Sequence, residues 1–272
     1  MVSAQRGLWL IGIGPGDLGY ITERALEIAK KCDKRYLEGY TAVLPDNQER
    51  LLENIVGPWE RLMRPDIENP VKLLNEARHK LVALMIVGDP MQATTHIDLE
   101  ARCSEENIDF NIIPGMSAIS LAISLSGLQS YRFGRQVTIP FSYGDYLPTS
   151  PLEMIYFNKS NDLHSLVLLD LDPSGMGTDL PQPMKPHYAF NQLKLMVKKL
   201  TNREDRTGLI DNYSIDDWDS ILVSDVGTER QNIVSGSLID LSNNAEGLIH
   251  TIIFPATMSD NEKEAFERRR AE

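Results

Sequence analysis

Three short apolar runs in the first half of the chain each end in a loop that contains glycine. The loops read "GIGPGD" (12–17), "VGDPMQATTH" (87–96) and "IIPGMSA" (112–118). Continuous apolar runs of this length are typical of buried strands in a parallel sheet. Each glycine loop on its own could simply be a tight turn without any ligand. Ligands nevertheless bind at the carboxyl ends of such strands, so three glycine loops at strand ends favour one shared binding cleft.

The first half alternates between strand patterns and helix patterns. Amphipathic helices are predicted at 21–32, 47–57, 69–80 and 95–107, and strands at 8–13, 34–40, 59–63, 81–89 and 108–114. Alternating strands and helices build a mainly parallel sheet with helices on its faces. We therefore predict an α/β domain over residues 1–114.

The second half contains more strands and fewer helices. Its pattern predicts helices at 117–128 and 188–201, a loop rich in Gly and Pro at 173–186, and strands at 134–141, 163–172, 220–227, 232–241 and 250–255. These elements predict a second α/β domain with a mixed sheet over residues 115–257. Residues 258–272 read as a charged C-terminal tail with a short helix, and Arg268, Arg269 and Arg270 as solvated side chains.

Charge and composition argue against several classes of function. The net charge of −12 repels phosphate backbones and anionic lipid, so we expect no nucleic-acid partner and no membrane partner. No apolar stretch reaches the ~18 residues of a membrane span. The two cysteines, Cys32 and Cys103, form no C-x-x-C pair and are expected to be buried thiols of a cytoplasmic protein.

The candidate chemical groups do not form a known catalytic motif. The first loop has Asp17 where the dinucleotide fingerprint G-x-G-x-x-G needs its third glycine. His96 is expected to be structural, His250 to bond a ligand or a neighbouring backbone group, and Asp89 to form a turn or accept from a ligand. The sequence contains no nucleophile elbow and no metal-ligand spacing, so the chemistry is expected to rely on a cofactor held in position, with no metal.

The opening "IGIGPGD" followed by a helix resembles the start of the tetrapyrrole-methylase superfamily. A closer resemblance is to the diphthine synthases, and it covers most of the chain. It is carried by the following stretches in order: "AKKCDKRYLEGYT" (29–41), "GDPMQATTHIDL" (88–99), "GLQSYRFGR" (127–135), "PTS" (148–150), "LHSLVLLDLD" (163–172) and "HTIIFP" (250–255).

The resemblance implies a fold and an activity. Members have two α/β domains with S-adenosylmethionine (SAM) in the cleft between them, and form homodimers. They methylate the amino group of the 3-amino-3-carboxypropyl substituent on a histidine of translation elongation factor 2, which gives diphthine. Archaeal members stop at the trimethylated product, and eukaryotic members add a methyl ester.

The resemblance also implies which positions bind SAM, whose reaction product is S-adenosylhomocysteine. They lie in or after the strand-end loops of both halves: Pro15, Asp89, Gln92, Ser117, Ala118, Ile119, Leu169, Val226 and His250. Asp89 could pair with the cofactor's amino group or take the acceptor's proton, and the sequence does not decide between these roles. No catalytic residue is assigned.

Two other functions are compatible with the same motifs. One is methylation of a tetrapyrrole intermediate in the cobalamin or sirohaem pathway, because those methylases share the "GDP" turn. The other is a binding module that keeps the fold without turnover.

Overall fold

The computed structural model describes residues 6–144, 146–202, 214–243 and 246–271. Its contacts divide the chain into two compact units. Unit 1 contains Met1–Ala118, Met176–Pro181 and Gly227–Glu229, and unit 2 contains Ile119–Gly175, Gln182–Val226 and Arg230–Glu272. The sequence-predicted boundary after residue 114 falls shortly before the end of the first stretch of unit 1.

Unit 1 is built on a five-stranded parallel sheet of order β3-β2-β4-β1-β5. The strands are β1 (Gly7–Gly12), β2 (Lys34–Glu38), β3 (Glu60–Leu62), β4 (Leu81–Ile86) and β5 (Phe110–Ile113). The helices are α1 (Glu23–Lys31), α2 (Asp46–Val56), α3 (Arg64–Glu68), α4 (Val71–Ala77) and α5 (Ile97–Glu105).

The apolar runs of unit 1 are buried on both faces of the sheet. Neighbouring residues of β1 belong to different clusters, because Leu10 packs with Leu84 while Ile11 packs with Met85. Side chains alternate between the two faces of a strand, so an apolar run with no alternation requires cover on both sides. The thiols Cys32 and Cys103 lie in these clusters, and burial raises their pKa values to about 12 and about 11.

Unit 2 is built on a mixed five-stranded sheet of order β6-β7-β10-β8-β9. The pair β6 and β7 is parallel, and the other pairs are antiparallel. The strands are β6 (Val137–Ile139), β7 (Ser165–Leu169), β8 (Asp219–Ser224), β9 (Asn232–Ser237) and β10 (His250–Phe254). The helices are α6 (Ala118–Ser126), α7 (Ser150–Ser160), α8 (Pro186–Thr201), α9 (Leu238–Ser242) and α10 (Asp260–Glu267). The predicted fold class, α/β in both halves, is confirmed.

One predicted strand is wrong in its second half. The run 232–241 reads as a single strand, but β9 ends at Ser237 and α9 follows. The Ser237 side chain accepts from the Asp240 backbone N–H at 3.2 Å and caps the new helix. The apolar residues Leu238 and Leu241 are three positions apart, so a single helix turn buries both.

The C-terminal segment 258–272, predicted as a charged tail, buries one face in unit 2, while Arg268 and Arg270 are exposed as predicted. The predicted short helix forms as α10, and it buries Glu262, Ala265 and Phe266. Beyond α10 the backbone pairs with β9, where Ser235 N–H donates to Arg269 O at 2.8 Å and Ala271 N–H donates to Ser235 O at 2.9 Å. No helix among the described residues is long and apolar enough to span a bilayer.

Candidate functional site

The three glycine loops of unit 1 meet at one edge of its sheet. Strands β4, β1 and β5 are neighbours and parallel, so the loops that follow them leave the sheet side by side. The first two loops are bonded to each other, with Gly14 N–H donating to Gly88 O at 3.3 Å and Gly88 N–H donating to Gly14 O at 2.8 Å. The sequence-predicted juxtaposition of the loops is therefore present in the structure.

Two glycines are required because the loops approach one another closely. A Cβ on Gly115 would lie 2.1 Å from Gly88 O, and a Cβ on Gly12 would lie 2.4 Å from Gly115 N. Gly88 differs from both, since, apart from its own chain neighbours, no atom of the described residues lies within 4 Å of the position where its Cβ would be. Gly88 itself is buried, so the backbone at this point faces space that a ligand atom can fill.

Asp89 ties the second loop to the third. Its Oδ1 accepts from Met91 N–H at 2.9 Å within its own loop, and its Oδ2 accepts from Gly115 N–H at 3.1 Å in the third loop. Both carboxylate oxygens thus hold backbone groups. The bond to Met91 agrees with the turn-forming role that the sequence offered for Asp89, whereas the bond to Gly115 in the third loop was not predicted.

Asp17 also has a structural role in the first loop. Its Oδ1 accepts from Gly19 N–H at 2.6 Å and caps the short 3₁₀ turn Leu18–Tyr20. Its own N–H donates to Gly227 O at 2.9 Å, which fixes the end of the loop. An aspartate at this position therefore starts a turn, whereas the dinucleotide motif uses a glycine there. Pro15, the predicted SAM contact of this loop, is buried.

His96 makes a structural hydrogen bond through Nδ1, as predicted, but its Nε2 is buried with no hydrogen-bond partner among the described residues. The ring is buried, and its Nδ1 lies 2.8 Å from Pro90 O across the second loop. Burial lowers the pKa of His96, so the neutral ring donates its Nδ1–H to that carbonyl. Between these two residues, Gln92 is exposed and Ala93 has a φ of 55°. The second loop therefore presents Gln92 outward from a fixed backbone.

Three of the predicted contacts lie at one edge of the sheet in unit 2. Leu169 ends β7, His250 begins the antiparallel β10, and Val226 follows the end of β8. The register pairs Thr251 with Leu168 and His250 with Ser224, which brings these strand ends together. Val226 packs on an apolar cluster that includes Ile119. Ser117, just before α6, is buried, while Ala118 is exposed.

His250 is the most perturbed group at this edge. The ring is 2% exposed, and its Nδ1 lies 2.8 Å from Ser224 Oγ. Burial, together with the nearby charge of Lys185, lowers its pKa from 6.5 to about 4. Its Nε2 is buried and has no hydrogen-bond partner among the described residues. A neutral ring with one unsatisfied nitrogen is suited to one hydrogen bond with a polar ligand.

Two further aspartates shape this edge, and sequence reasoning missed both. Asp225 Oδ1 accepts from Leu248 N–H and Ile249 N–H, both at 2.8 Å, and so fixes the backbone that leads into His250. Asp170 Oδ2 accepts from Phe141 N–H at 3.0 Å, and its Oδ1 from Leu171 N–H at 2.8 Å. The signal was available in the sequence, because each aspartate directly follows an apolar strand, as Asp89 follows the run at 81–88.

Comparison with known proteins identifies the family. Residues 7–242 match the family of Tetrapyrrole (Corrin/Porphyrin) Methylases. The chain is 33% identical over 263 residues to the diphthine synthase of Methanocaldococcus jannaschii, covering 96% of this chain and 97% of that protein. It is 33% identical over 256 residues to the diphthine methyl ester synthase of Saccharomyces cerevisiae, covering 90% of this chain and 83% of that protein.

A solved structure agrees with these relatives. A crystal structure of diphthine synthase superposes with a TM-score of 0.81 at 26% identity, and covers 97% of this chain and 95% of that chain. The resemblance inferred from the motifs is thereby confirmed over nearly the whole length. The chain therefore belongs to the tetrapyrrole methylase family and, within it, to the diphthine synthases.

Proposed function

We propose that the chain is a SAM-dependent methyltransferase of diphthamide biosynthesis. Its acceptor would be the amino group of the 3-amino-3-carboxypropyl-histidine of elongation factor 2, and its product diphthine. The observation that carries this proposal is the match to diphthine synthases from end to end, 96% of this chain against 97% of the archaeal relative. The glycine loops of unit 1 and the His250 edge of unit 2 support it.

The alternative, methylation of a tetrapyrrole intermediate, is less well supported. Its support is the shared "GDP" turn and the name of the wider family. The relatives reported above that match over most of the chain are named for the synthesis of diphthine or its methyl ester.

One feature at each sheet edge supports SAM as the cofactor. Among the described residues, the backbone at Gly88 faces open space, and His250 Nε2 is a buried polar atom with no hydrogen-bond partner. The proposed contacts come from both units: Pro15, Asp89, Gln92, Ser117 and Ala118 in unit 1, and Ile119, Leu169, Val226 and His250 in unit 2. When bound, SAM would supply an electrophilic methyl group for in-line displacement by a neutral amine.

The chain's own residues would orient the reactants. Asp89, Asp170 and Asp225 fix the loops from which the contacts project, so little loop entropy remains to be lost on binding. His250 stays uncharged at neutral pH because its pKa is about 4, so it would add no positive charge to a site that binds a cationic cofactor. We assign no general base.

We further propose that the protein acts as a cytoplasmic homodimer on elongation factor 2. We propose no nucleic-acid or membrane partner. The support is the resemblance to the diphthine synthases and the net charge of −12.

Labelled SAM tests the proposed function. The label is expected to enter elongation factor 2 whose histidine carries the aminocarboxypropyl group, and to stay out of the same factor without that group. Transfer to precorrins, with none to the modified factor, would support the alternative and contradict the proposal.

A further inference from the structure

Lys185 lies at the N-terminal end of α8, beside the edge of the unit 2 sheet that carries His250. The preceding residue, Met184, donates its N–H to Asp170 O at 2.9 Å, directly after the end of β7. Lys185 itself has an extended backbone, and its carbonyl accepts from Tyr188 N–H at 3.0 Å. Hydrogen bonds on both sides therefore fix the position from which the Lys185 side chain starts.

The Lys185 ammonium is held close to the His250 ring. Its Nζ donates to Gly247 O at 2.7 Å. Gly247 packs against the ring, because a Cβ added there would lie 3.1 Å from His250 Cε1. Burial is the main cause of the low pKa of His250, and the Lys185 charge lowers it further, by more than the Asp225 charge raises it. Of these two charges, the positive one therefore dominates at the ring.

Among the described residues, no acidic side chain forms an ion pair with Lys185. The first turn of α8 contains no Asp or Glu, although acidic side chains are the ones that the positive end of a helix dipole favours. Farther along this helix, Lys194 is paired with Asp216 at 3.7 Å. Gly247 O accepts from only part of the Lys185 ammonium, which has several N–H donors. This half-buried cation at the positive end of a helix is therefore suited to binding an anion.

We propose that Lys185 binds the carboxylate of an α-amino acid group that enters at the His250 edge of unit 2. This inference rests on the proposed function, because both of its reactants end in such a group: SAM in its methionine part, and the acceptor in its aminocarboxypropyl substituent. An ammonium and a carboxylate form a charge-assisted hydrogen bond, which is stronger than one between neutral groups. Lys185 is therefore a specificity residue for a reactant that carries a carboxylate.

Calorimetry with two unreactive ligands tests whether the carboxylate is that of SAM. S-adenosylhomocysteine keeps the amino acid group of SAM, and methylthioadenosine lacks it. If Lys185 binds this carboxylate, Lys185→Met should weaken the binding of S-adenosylhomocysteine by roughly 10- to 100-fold, the range for one charge-assisted hydrogen bond. The affinity for methylthioadenosine should stay that of the wild type.

Steady-state kinetics tests whether the carboxylate is that of the acceptor. The substrate is elongation factor 2 that carries the aminocarboxypropyl group. If Lys185 binds the acceptor, Lys185→Met should raise the acceptor KM by the same roughly 10- to 100-fold, and both affinities measured by calorimetry should stay unchanged. Lys185→Arg keeps the positive charge, so it should recover part of the loss in whichever of the two measurements shows one.

Lys199→Met is the matched control for the loss of a lysine that is bonded to a backbone carbonyl. Lys199 lies on the same helix and donates to Leu147 O, also at 2.7 Å, but its side chain is exposed. This variant should keep the wild-type affinities and the wild-type acceptor KM.

Three results would overturn the inference. One is a Lys185→Met variant with unchanged S-adenosylhomocysteine affinity and unchanged acceptor KM. Another is an equal loss of affinity for S-adenosylhomocysteine and methylthioadenosine, and the third is an equal effect of Lys185→Met and Lys199→Met. A wild-type protein that methylates no modified factor would instead refute the proposed function, and the two calorimetric affinities would still test Lys185.

Discussion

At the residue scale, three aspartates perform the same task at the two sheet edges. Asp89, Asp170 and Asp225 each follow an apolar strand and accept hydrogen bonds from backbone N–H groups of loops. An ionised carboxylate can accept several hydrogen bonds, so one side chain can fix two segments. These three carboxylates therefore hold the loops in place, and Asp89 does so although it is also a proposed SAM contact.

The role of Asp89 is tested by Asp89→Asn. The amide keeps one acceptor oxygen but turns an NH₂ group toward a backbone N–H, so either Met91 or Gly115 loses its partner. We expect the free energy of unfolding, measured with urea, to fall by about 1–3 kcal/mol. Asp98→Asn, at an exposed position of α5, should change it by less than about 0.5 kcal/mol. Unchanged stability with weaker SAM binding would show that Asp89 serves the ligand alone.

The buried His250 makes stability depend on pH. Its pKa is about 4 in the folded chain and 6.5 as the ordinary value, so the unfolded state binds the extra proton between those pH values. The contribution of the neutral His250 ring to stability is therefore fully present above pH 6.5, and it is lost as the pH drops toward 4. Between pH 7 and pH 4, this group contributes a loss of roughly 3 kcal/mol.

The matched measurement is urea unfolding of wild type and His250→Asn across that pH range. The wild type should lose roughly 3 kcal/mol more than the variant, which cannot titrate at this position. Parallel curves for the two proteins would mean that His250 titrates near its ordinary pKa when folded.

The meeting of the three loops at one sheet edge was predictable from the sequence, because each glycine loop follows an apolar run. Pro15, Asp89 and Gln92 were proposed as SAM positions from the resemblance to the diphthine synthases, and not from the loops themselves. The bond between Asp89 and Gly115 was not predictable, because Gly115 N–H comes within reach only through the pairing of β1 with β4 and β5. Whether the nine proposed SAM positions contact the cofactor stays a prediction.

At the scale of elements, the edge of the sheet in unit 1 depends on close contact between loop backbones. A Cβ on Gly12 would meet Gly115 N at 2.4 Å and Gly88 O at 2.8 Å, all backbone atoms that cannot move aside cheaply. Gly12→Ala is therefore expected to destabilise the protein by about 3 kcal/mol or more, a size that calls for a specific structural cause such as this one.

Gly236→Ala is the control, because the nearest atom to a Cβ there lies 3.6 Å away in an ordinary contact. In thermal unfolding followed by circular dichroism, the melting temperature should fall for Gly12→Ala and stay unchanged for Gly236→Ala. Equal melting temperatures in the two variants would contradict the close approach of the loops.

The docking of α10 is fixed by one buried carboxylate. Glu262 is 1% exposed and accepts from Gln129 N–H at 2.9 Å, Arg132 Nη1 at 2.8 Å, and His164 Nε2 at 3.1 Å. Burial alone would raise its pKa, but the hydrogen bonds that it accepts outweigh burial and lower the pKa to about 2. This contribution to stability is present above pH 4.5 and is lost only as the pH falls toward 2.

Glu262→Gln is expected to lower the free energy of unfolding by about 3 kcal/mol at pH 7, because Arg132 loses a buried ionic partner. Glu264→Gln on the same helix removes only an exposed pair with Arg268 and should cost less than about 1 kcal/mol. Urea unfolding measures both. Equal effects would mean that α10 is held by its apolar contacts alone.

The elements that sequence reasoning predicted poorly have identifiable causes. Helix α7 was missed because its apolar residues, such as Leu152, Ile155 and the exposed Phe157, do not keep to one face. Arg268 and Arg270 are exposed, as the charged composition of the tail predicted, but the burial of Glu262 was not predicted. Glu262 is paired within unit 2 by residues more than a hundred positions away. Pairing over that separation is not visible in a local pattern.

At the scale of the whole molecule, the α/β class was predictable and the activity was not derivable from periodicity. Alternating strands and helices determine the class of sheet in each half, but many α/β proteins with glycine loops bind other ligands. The diphthine synthase assignment depended on extended motifs such as "GDPMQATTHIDL", which the relatives then confirmed. Fold and function therefore rest on different parts of the sequence.

The central claim is that this chain methylates one modified histidine, and mass spectrometry of that peptide tests it most directly. Elongation factor 2 that carries the aminocarboxypropyl group is incubated with the protein and SAM, and the histidine peptide is weighed. We predict that its mass rises by whole methyl groups on the substituent's nitrogen, and that the unmodified factor gains none. An unchanged peptide mass, with SAM bound and the protein folded, would contradict the account.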